Sequence, residues 1–263
     1  MLLDNVTRPA LRLVTSPAIY GLDHLEVLDG PVIVTANHAS HLDTALLLSC
    51  LPVRIRHHCV VGAAADYFFD RRYKAAAWAS ILGAVPMERT KVNRKSADIA
   101  AALIDEGWSL VMFPEGGRSN DGWGQEFKGG AAYLAKRCSV PVVPVHMRGT
   151  RAILAKGDSR FRPGTTEVRF GDALRPADSE DARRFAARIE KAVALLADEA
   201  ETDWWSARRR AADGSSPPFR GPDASPWRRA WSLPQSADPT PRRKPARRSR
   251  AGGAKGWPLD KLD

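Results

Sequence analysis

The chain has 263 residues, 44% hydrophobic and 27% charged, enough for one substantial domain around a buried core. Three cysteines with no CxxC pair argue against a disulfide framework or a structural zinc site and fit a reducing compartment. No apolar run approaches the ~18 residues needed to span a bilayer, and the opening MLLDNVTRPALRLV makes a poor signal peptide. Much of the net charge of +10 lies late: residues 201–263 hold 14 Lys/Arg against 7 Asp/Glu, whereas residues 1–200 hold 26 against 23. Such a basic end points to an anionic partner, whether lipid headgroups, nucleic acid or an acidic protein.

In chain order, HLEVL (24–28), an Asp29-Gly30 turn and PVIVTA (31–36) read as two strands joined by a tight turn. HLDTALLLSCL (41–51) reads as a buried helix, HHCVVGA as a strand and Tyr67–Ile81 as a helix. AVPM is a short strand, and Ser96–Glu106 is a helix ended by Gly107. SLVMF is an apolar strand, GGAAYLAKRC a helix, and PVVPVHM and TTEVRF are strands. A long helix capped by Asp178 or Ser179 follows, with Phe185, Ile189, Val193, Leu196 and Ala200 forming its core stripe. This alternation predicts an α/β domain with helices on a mixed, largely parallel sheet, its ligands gathering at strand ends. We expect that domain to occupy residues 1–212. Residues 213–263 carry nine of the nineteen prolines, which predicts an irregular or disordered Pro/Arg-rich tail.

The first chemical candidate is Asn37-His38-Ala39-Ser40-His41-Leu42-Asp43. A histidine with an aspartate five positions later is weak evidence alone, and His24 and Asp29 repeat the spacing. Residues five apart in a straight helix lie about 140° apart. A His38–Asp43 contact therefore needs His38 on the turn after PVIVTA, with Asp43 on a helix that begins just beyond it. In that arrangement Asp43 accepts the imidazole Nδ1–H. The histidine can then deprotonate a substrate hydroxyl, so no protein nucleophile is needed. The plainer alternative is a capping asparagine, a surface histidine and a helix-start aspartate.

Two further segments, GAVPMERT (83–90) and FPEGGRS (113–119), each place an arginine just after a strand, where a planar guanidinium suits phosphate. Lys128, ahead of a helix N-terminus, is a weaker anion candidate. His146 and Arg148 read as packing or surface residues. His41, His57 and His58 lack companions at metal-ligand spacing.

Together NHASHLD, GAVPMERT, FPEGGRS and VPVVPV, in that order, resemble the glycerolipid acyltransferase family typified by 1-acylglycerol-3-phosphate acyltransferase. The resemblance covers most of residues 20–200. It implies catalysis by His38 and Asp43, substrate phosphate binding by Arg89, Glu115, Gly116 and Arg118, and an acyl-CoA or acyl-carrier-protein donor. No metal or redox cofactor is implied. The third motif departs from the family's usual EGTRS in having Gly117 where threonine is common.

The expected reaction is acylation of the free hydroxyl of a lysophosphatidic acid, giving phosphatidic acid. Other acceptors (glycerol-3-phosphate, a glycolipid) and a non-catalytic module binding an anionic partner are the alternatives; nucleic acid is disfavoured because no stacking platform is recognisable. A two-chain product does not readily leave into water, so we expect a peripheral enzyme at the cytoplasmic face of the membrane. Asp66–Lys74 with Trp78, and Trp204-Trp205 followed by Arg208–Arg210, mix aromatics and cations suited to that surface.

Overall fold

Short apolar runs separated by helices place four strands in the middle of a sheet whose faces are both covered. The computed structural model describes residues 8–64, 84–87, 94–155 and 160–233. In order these form α1 (Arg8–Thr15), β1 (Pro17–Tyr20), α2 (Asp23–Glu26), β2 (Ile33–Ala36), α3 (Leu42–Cys50), α4 (Val53–Arg56), β3 (Cys59–Ala64) and β4 (Ala84–Met87). There follow α5 (Arg94–Asp105), β5 (Ser109–Met112), α6 (Gly130–Cys138), β6 (Val142–Arg148), α7 (Thr150–Ile153), β7 (Thr166–Phe170), α8 (Ala182–Glu201), α9 (Trp204–Asp213) and α10 (Pro226–Ser232).

The seven strands run in the order β1-β7-β6-β2-β5-β3-β4, and every neighbouring pair is parallel except β6 with β7. Every residue of β2 and β5 is buried, which explains why these runs are mainly apolar instead of alternating; the two polar exceptions, Thr35 and Ser109, are buried and hydrogen-bonded. Val34, Ala36, Val143 and Val145 face Leu46 and Leu47 of α3. Ile33, Leu110 and Val142 face the other way, toward α5, α6 and the Phe185, Ile189 and Val193 stripe of α8. The α/β architecture expected from the alternation is therefore the one found.

Three local expectations need correction. HLEVL is not a strand: Asp23–Glu26 is helical. Leu22, Leu25 and Leu28, spaced by three, turn inward, while Val27 is exposed, so the period is helical. The long helix is capped by neither Asp178 nor Ser179 but by Asp181, whose side chain accepts from the Arg184 N–H. Residues 214–225 carry no regular element, yet they are not detached from the domain. Phe219 meets Phe127 edge-on, Arg220 pairs with Glu190, and the chain then forms α10, whose Arg229 pairs with Asp121. The expected helix over Tyr67–Ile81 and residues 234–263 lie outside the described residues. No described helix is long and apolar enough to cross a membrane.

Candidate active site

Because β2 is parallel to both neighbours, with Thr35 beside Met112 of β5 and Ala36 beside Val145 of β6, three loops emerge together at the C-terminal ends of these strands. These are residues 37–41, 113–119 and the start of α7. At the break after β2, Asn37 continues the sheet with its side chain: Nδ2 donates to the Met147 carbonyl (2.8 Å) and Oδ1 accepts from the Met147 N–H (2.7 Å). The chain then turns into α3 with the side chains of Ser40 and Asp43 accepting from its main-chain N–H groups. Ser40 Oγ accepts from the Leu42 N–H, and the carboxylate of Asp43 reaches back to the N–H groups of Ala39 and Ser40 at 2.7 and 2.8 Å.

The same Asp43 Oδ2 accepts from His38 Nδ1 at 2.9 Å. Asp43 is 1% exposed and His38 17%, so the carboxylate is sealed while the imidazole reaches the surface. With Nδ1–H committed to Asp43, the neutral ring carries its lone pair on Nε2. Phe113 stacks on the imidazole with ring centroids 4.3 Å apart, fixing its plane. The expectation that His38 sits on the turn and Asp43 on the following helix is thus met in geometry. The competing pair is not made: His24 lies on α2 and bonds Asp172.

The 113–119 loop grips the His38 peptide from both sides. Glu115 Oε1 accepts from the His38 N–H (3.0 Å), and the Ser119 N–H donates to the His38 carbonyl (2.8 Å). Glu115 therefore has a partner different from the phosphate implied by the resemblance; its carboxyl lies buried beneath the turn. Burial pushes this carboxyl up to about 8, against the pull of the His38 N–H and helped by the negative charge of Asp43. The folded chain thus retains a proton that the unfolded chain releases above its ordinary value of 4.5. This group's contribution is fully present below that value and is lost as pH rises through about 8. Glu115→Gln keeps the acceptor for His38 but cannot ionise. Its melting temperature, relative to the parent protein, is expected to climb between about pH 5 and 8. A difference that stays constant with pH would refute the assignment.

Gly116 turns the loop at φ +72°, and a methyl group there would meet Lys128 Nζ at 2.6 Å, so Lys128 lies across the loop. Its own N–H donates to the Pro114 carbonyl. Gly117 has open space around the position of a Cβ. Arg118 is half-buried on the same loop, and its charge reaches the site. Burial lowers the His41 pKa, the Arg118 and His38 charges lower it further, and Asp43 opposes. Arg89 lies outside the described residues. His38, Asp43, Glu115, Gly116 and Arg118 are thereby brought to one strand-end cluster.

A cavity of about 250 Å³ adjoins the turn, lined by Asn37, Ala39, Trp123, His146, Ala194 and Phe219 among others. None of the paired catalytic candidates lines it. His146, pushed down to about 3 by burial and by the charges of Arg148 and Arg169, is neutral there. Among the described residues no group of three His, Cys, Asp or Glu is arranged to hold a metal ion.

Residues 16–148 match the family profile described as Acyltransferase. The chain is 28% identical over 181 residues to 1-acyl-sn-glycerol-3-phosphate acyltransferase alpha of Ovis aries, covering 66% of this chain and 60% of that protein. It is 35% identical over 143 residues to the chloroplastic 1-acyl-sn-glycerol-3-phosphate acyltransferase BAT2 of Brassica napus, covering 53% and 39%. The fold is shared with the crystal structure of the 1-acyl-sn-glycerophosphate acyltransferase PlsC of Thermotoga maritima, with a TM-score of 0.62 at 22% identity over 76% of this chain and 79% of that one. The chain spans about 60% or less of the length of these two curated relatives.

Proposed function

The chain belongs to the Acyltransferase family, and from that premise we propose that it moves a fatty acyl group from a thioester to the free hydroxyl of a 1-acylglycerol-3-phosphate, making phosphatidic acid. The observation that carries this reading is the 2.9 Å contact between His38 Nδ1 and the sealed Asp43 carboxylate. With Asp43 holding the tautomer, Nε2 takes the proton of the acceptor hydroxyl as its oxygen attacks the thioester carbonyl. The tetrahedral intermediate collapses by breaking the C–S bond, and the imidazolium returns its proton to the departing thiolate. Asp43 stabilises the imidazolium between those steps.

Arg118 is the phosphate ligand in this reading, with Arg89 and Lys128 as further cations. Gly116 lets the backbone turn close to the phosphate. We assign Glu115 the task of holding the His38 peptide, which its hydrogen bond supports. The donor is a fatty acyl thioester of coenzyme A or of a carrier protein, and the enzyme works peripherally at the cytoplasmic membrane face. A second reading keeps the chemistry and changes the acceptor to glycerol-3-phosphate or a glycolipid. Gly117, with open space where the resembled motif usually has a threonine, supports that second reading. Purified protein offered lysophosphatidic acid with each thioester should yield phosphatidic acid, read by mass spectrometry. Product from another acceptor alone would select the second reading, and no product with any acceptor would reject both.

A further inference from the structure

Trp204, Trp205, Trp227 and Trp231 are 54%, 68%, 62% and 80% exposed, and these four are the exposed tryptophans among the described residues. All belong to α9 or α10. An indole is the side chain with most to gain from burial, so four left in water on two short helices call for a partner.

Each helix is fastened by one face and shows indoles on another. On α9, Ala207 is buried and Arg210 Nε donates to Asp198 of α8 at 3.0 Å, while Arg208 pairs with Glu199. Trp204 and Trp205 precede Arg208 and Arg209 by four residues, so each indole has a cation one turn along the same stripe. On α10, Arg229 is tied to Asp121, and its carbonyl accepts from the Trp123 indole. Trp227 and Trp231, again four apart, make the outward stripe. The Arg208 guanidinium lies over the Trp204 ring at 4.3 Å and that of Arg228 over Trp227 at 5.2 Å.

The end of α8, which leads into α9, and the end of α10 lie beside the catalytic turn. Ser232 and Leu233, where α10 ends, line the 250 Å³ cavity together with Asp198 and Glu201, where α8 ends just before Trp204. Asn37 and Ala39, flanking His38, line that same cavity. One space small enough for a few side chains therefore joins the end of α8, the end of α10 and the active-site turn.

We propose that the exposed tryptophan and arginine stripes of α9 and α10 dock this protein on a bilayer containing anionic phospholipid, with the catalytic turn toward the lipid headgroups. Indoles are suited to the layer between water and acyl chains, and the exposed guanidinium groups of Arg209 and Arg228 beside them reach lipid phosphate. The helices themselves carry five arginines against one aspartate, and residues 234–263 add eight Lys/Arg against three Asp, so the charge is complementary to such a surface. An acidic protein partner would satisfy the cations but gives four neighbouring indoles no comparable layer. The inference deepens the function proposed above by naming the surface from which a lipid acceptor is reached, but binding is measured without turnover.

The test is co-sedimentation of the full chain with vesicles of phosphatidylcholine alone or with about 30 mol% phosphatidylglycerol. The parent protein should partition to the anionic vesicles, and brominated acyl chains should quench its indole fluorescence. Trp204→Ala/Trp205→Ala and Trp227→Ala/Trp231→Ala should each lose about tenfold in partitioning, and Arg209→Glu should weaken the preference for anionic lipid. Because these side chains are exposed, melting temperature and turnover of a short-chain, monomeric acceptor should be unchanged. Partitioning by the quadruple tryptophan variant equal to the parent's overturns the proposal. So does absence of quenching in the unaltered protein, or capture by an acidic carrier protein with no vesicle binding. Vesicle binding without any acyl transfer would leave this inference standing and reject the enzymatic reading.

Discussion

His38→Ala is expected to lower turnover by about 10²–10⁴-fold while leaving the protein folded. The substitution removes the imidazole that the sealed Asp43 carboxylate orients. It leaves the His38 main-chain bonds, from its N–H to Glu115 and to its carbonyl from Ser119, in place. The turn should keep its shape, because the Ala39 and Ser40 N–H bonds to Asp43 do not involve the imidazole. What disappears is the stack on Phe113 and one of three donors to Asp43 Oδ2. Circular dichroism and a melting curve close to the parent's, together with collapsed phosphatidic acid formation, would identify a chemical defect. Turnover within a few fold of the parent would remove His38 from the mechanism.

The strand-to-helix turn that makes this experiment worth doing was legible in residue order. PVIVTA is a mainly apolar run, as a strand buried on both faces is, and polar Asn37 and Ser40 mark a break before the apolar helix HLDTALLLSCL. Those two features alone put His38 off the helix and Asp43 on it. Less legible was α2, where Leu25 and Val27 alternate over a window too short to separate a strand from a helix; only Leu22 and Leu28, flanking it, reveal the period of three. The edge strand β1 has four residues, one a proline, and its pairing with β7 is made 149 residues away in sequence at Pro17–Thr166, beyond what local pattern can carry. The packing of Phe219 and α10 was hidden by composition. A proline-rich stretch lacks helical or strand periodicity even when single side chains such as Phe219 find a core to enter.

The supports of the site depended on tertiary neighbours. Nothing near Asn37 in sequence says that its side chain extends the sheet toward Met147; that follows from β2 lying beside β6. The hydrogen bond from His38 to Glu115 likewise needs β2 beside β5, which brings residues 77 apart in sequence into contact. Motif order hinted that the blocks meet, but not that the carboxyl of the third would hold the backbone of the first.

That interlocking sets the outcome at Asp43, where activity and stability should separate according to the substitution. One oxygen, Oδ2, receives His38 Nδ1–H and the N–H groups of Ala39 and Ser40. Asp43→Ala strands all three donors in a site that is 1% exposed. At about 1–3 kcal/mol for each buried group left unpaired, a substantial fall in melting temperature is expected along with lost turnover. Asp43→Asn offers a carbonyl oxygen in the same place, so the capping bonds persist. Its amide nitrogen, however, must occupy the position of Oδ1, which is buried without a hydrogen-bond partner. The stability cost should therefore be smaller than for alanine, while the imidazolium loses its counter-charge and turnover falls by about 10³–10⁴-fold. If Asp43→Asn turned over normally, the carboxylate would be a helix cap alone. If Asp43→Ala melted like the parent, the three-donor arrangement would not be what holds the turn. If His38 is the base, using one carboxylate twice has a physical reason: the N–H groups of Ala39 and Ser40 would keep Asp43 from following the imidazole when the proton moves.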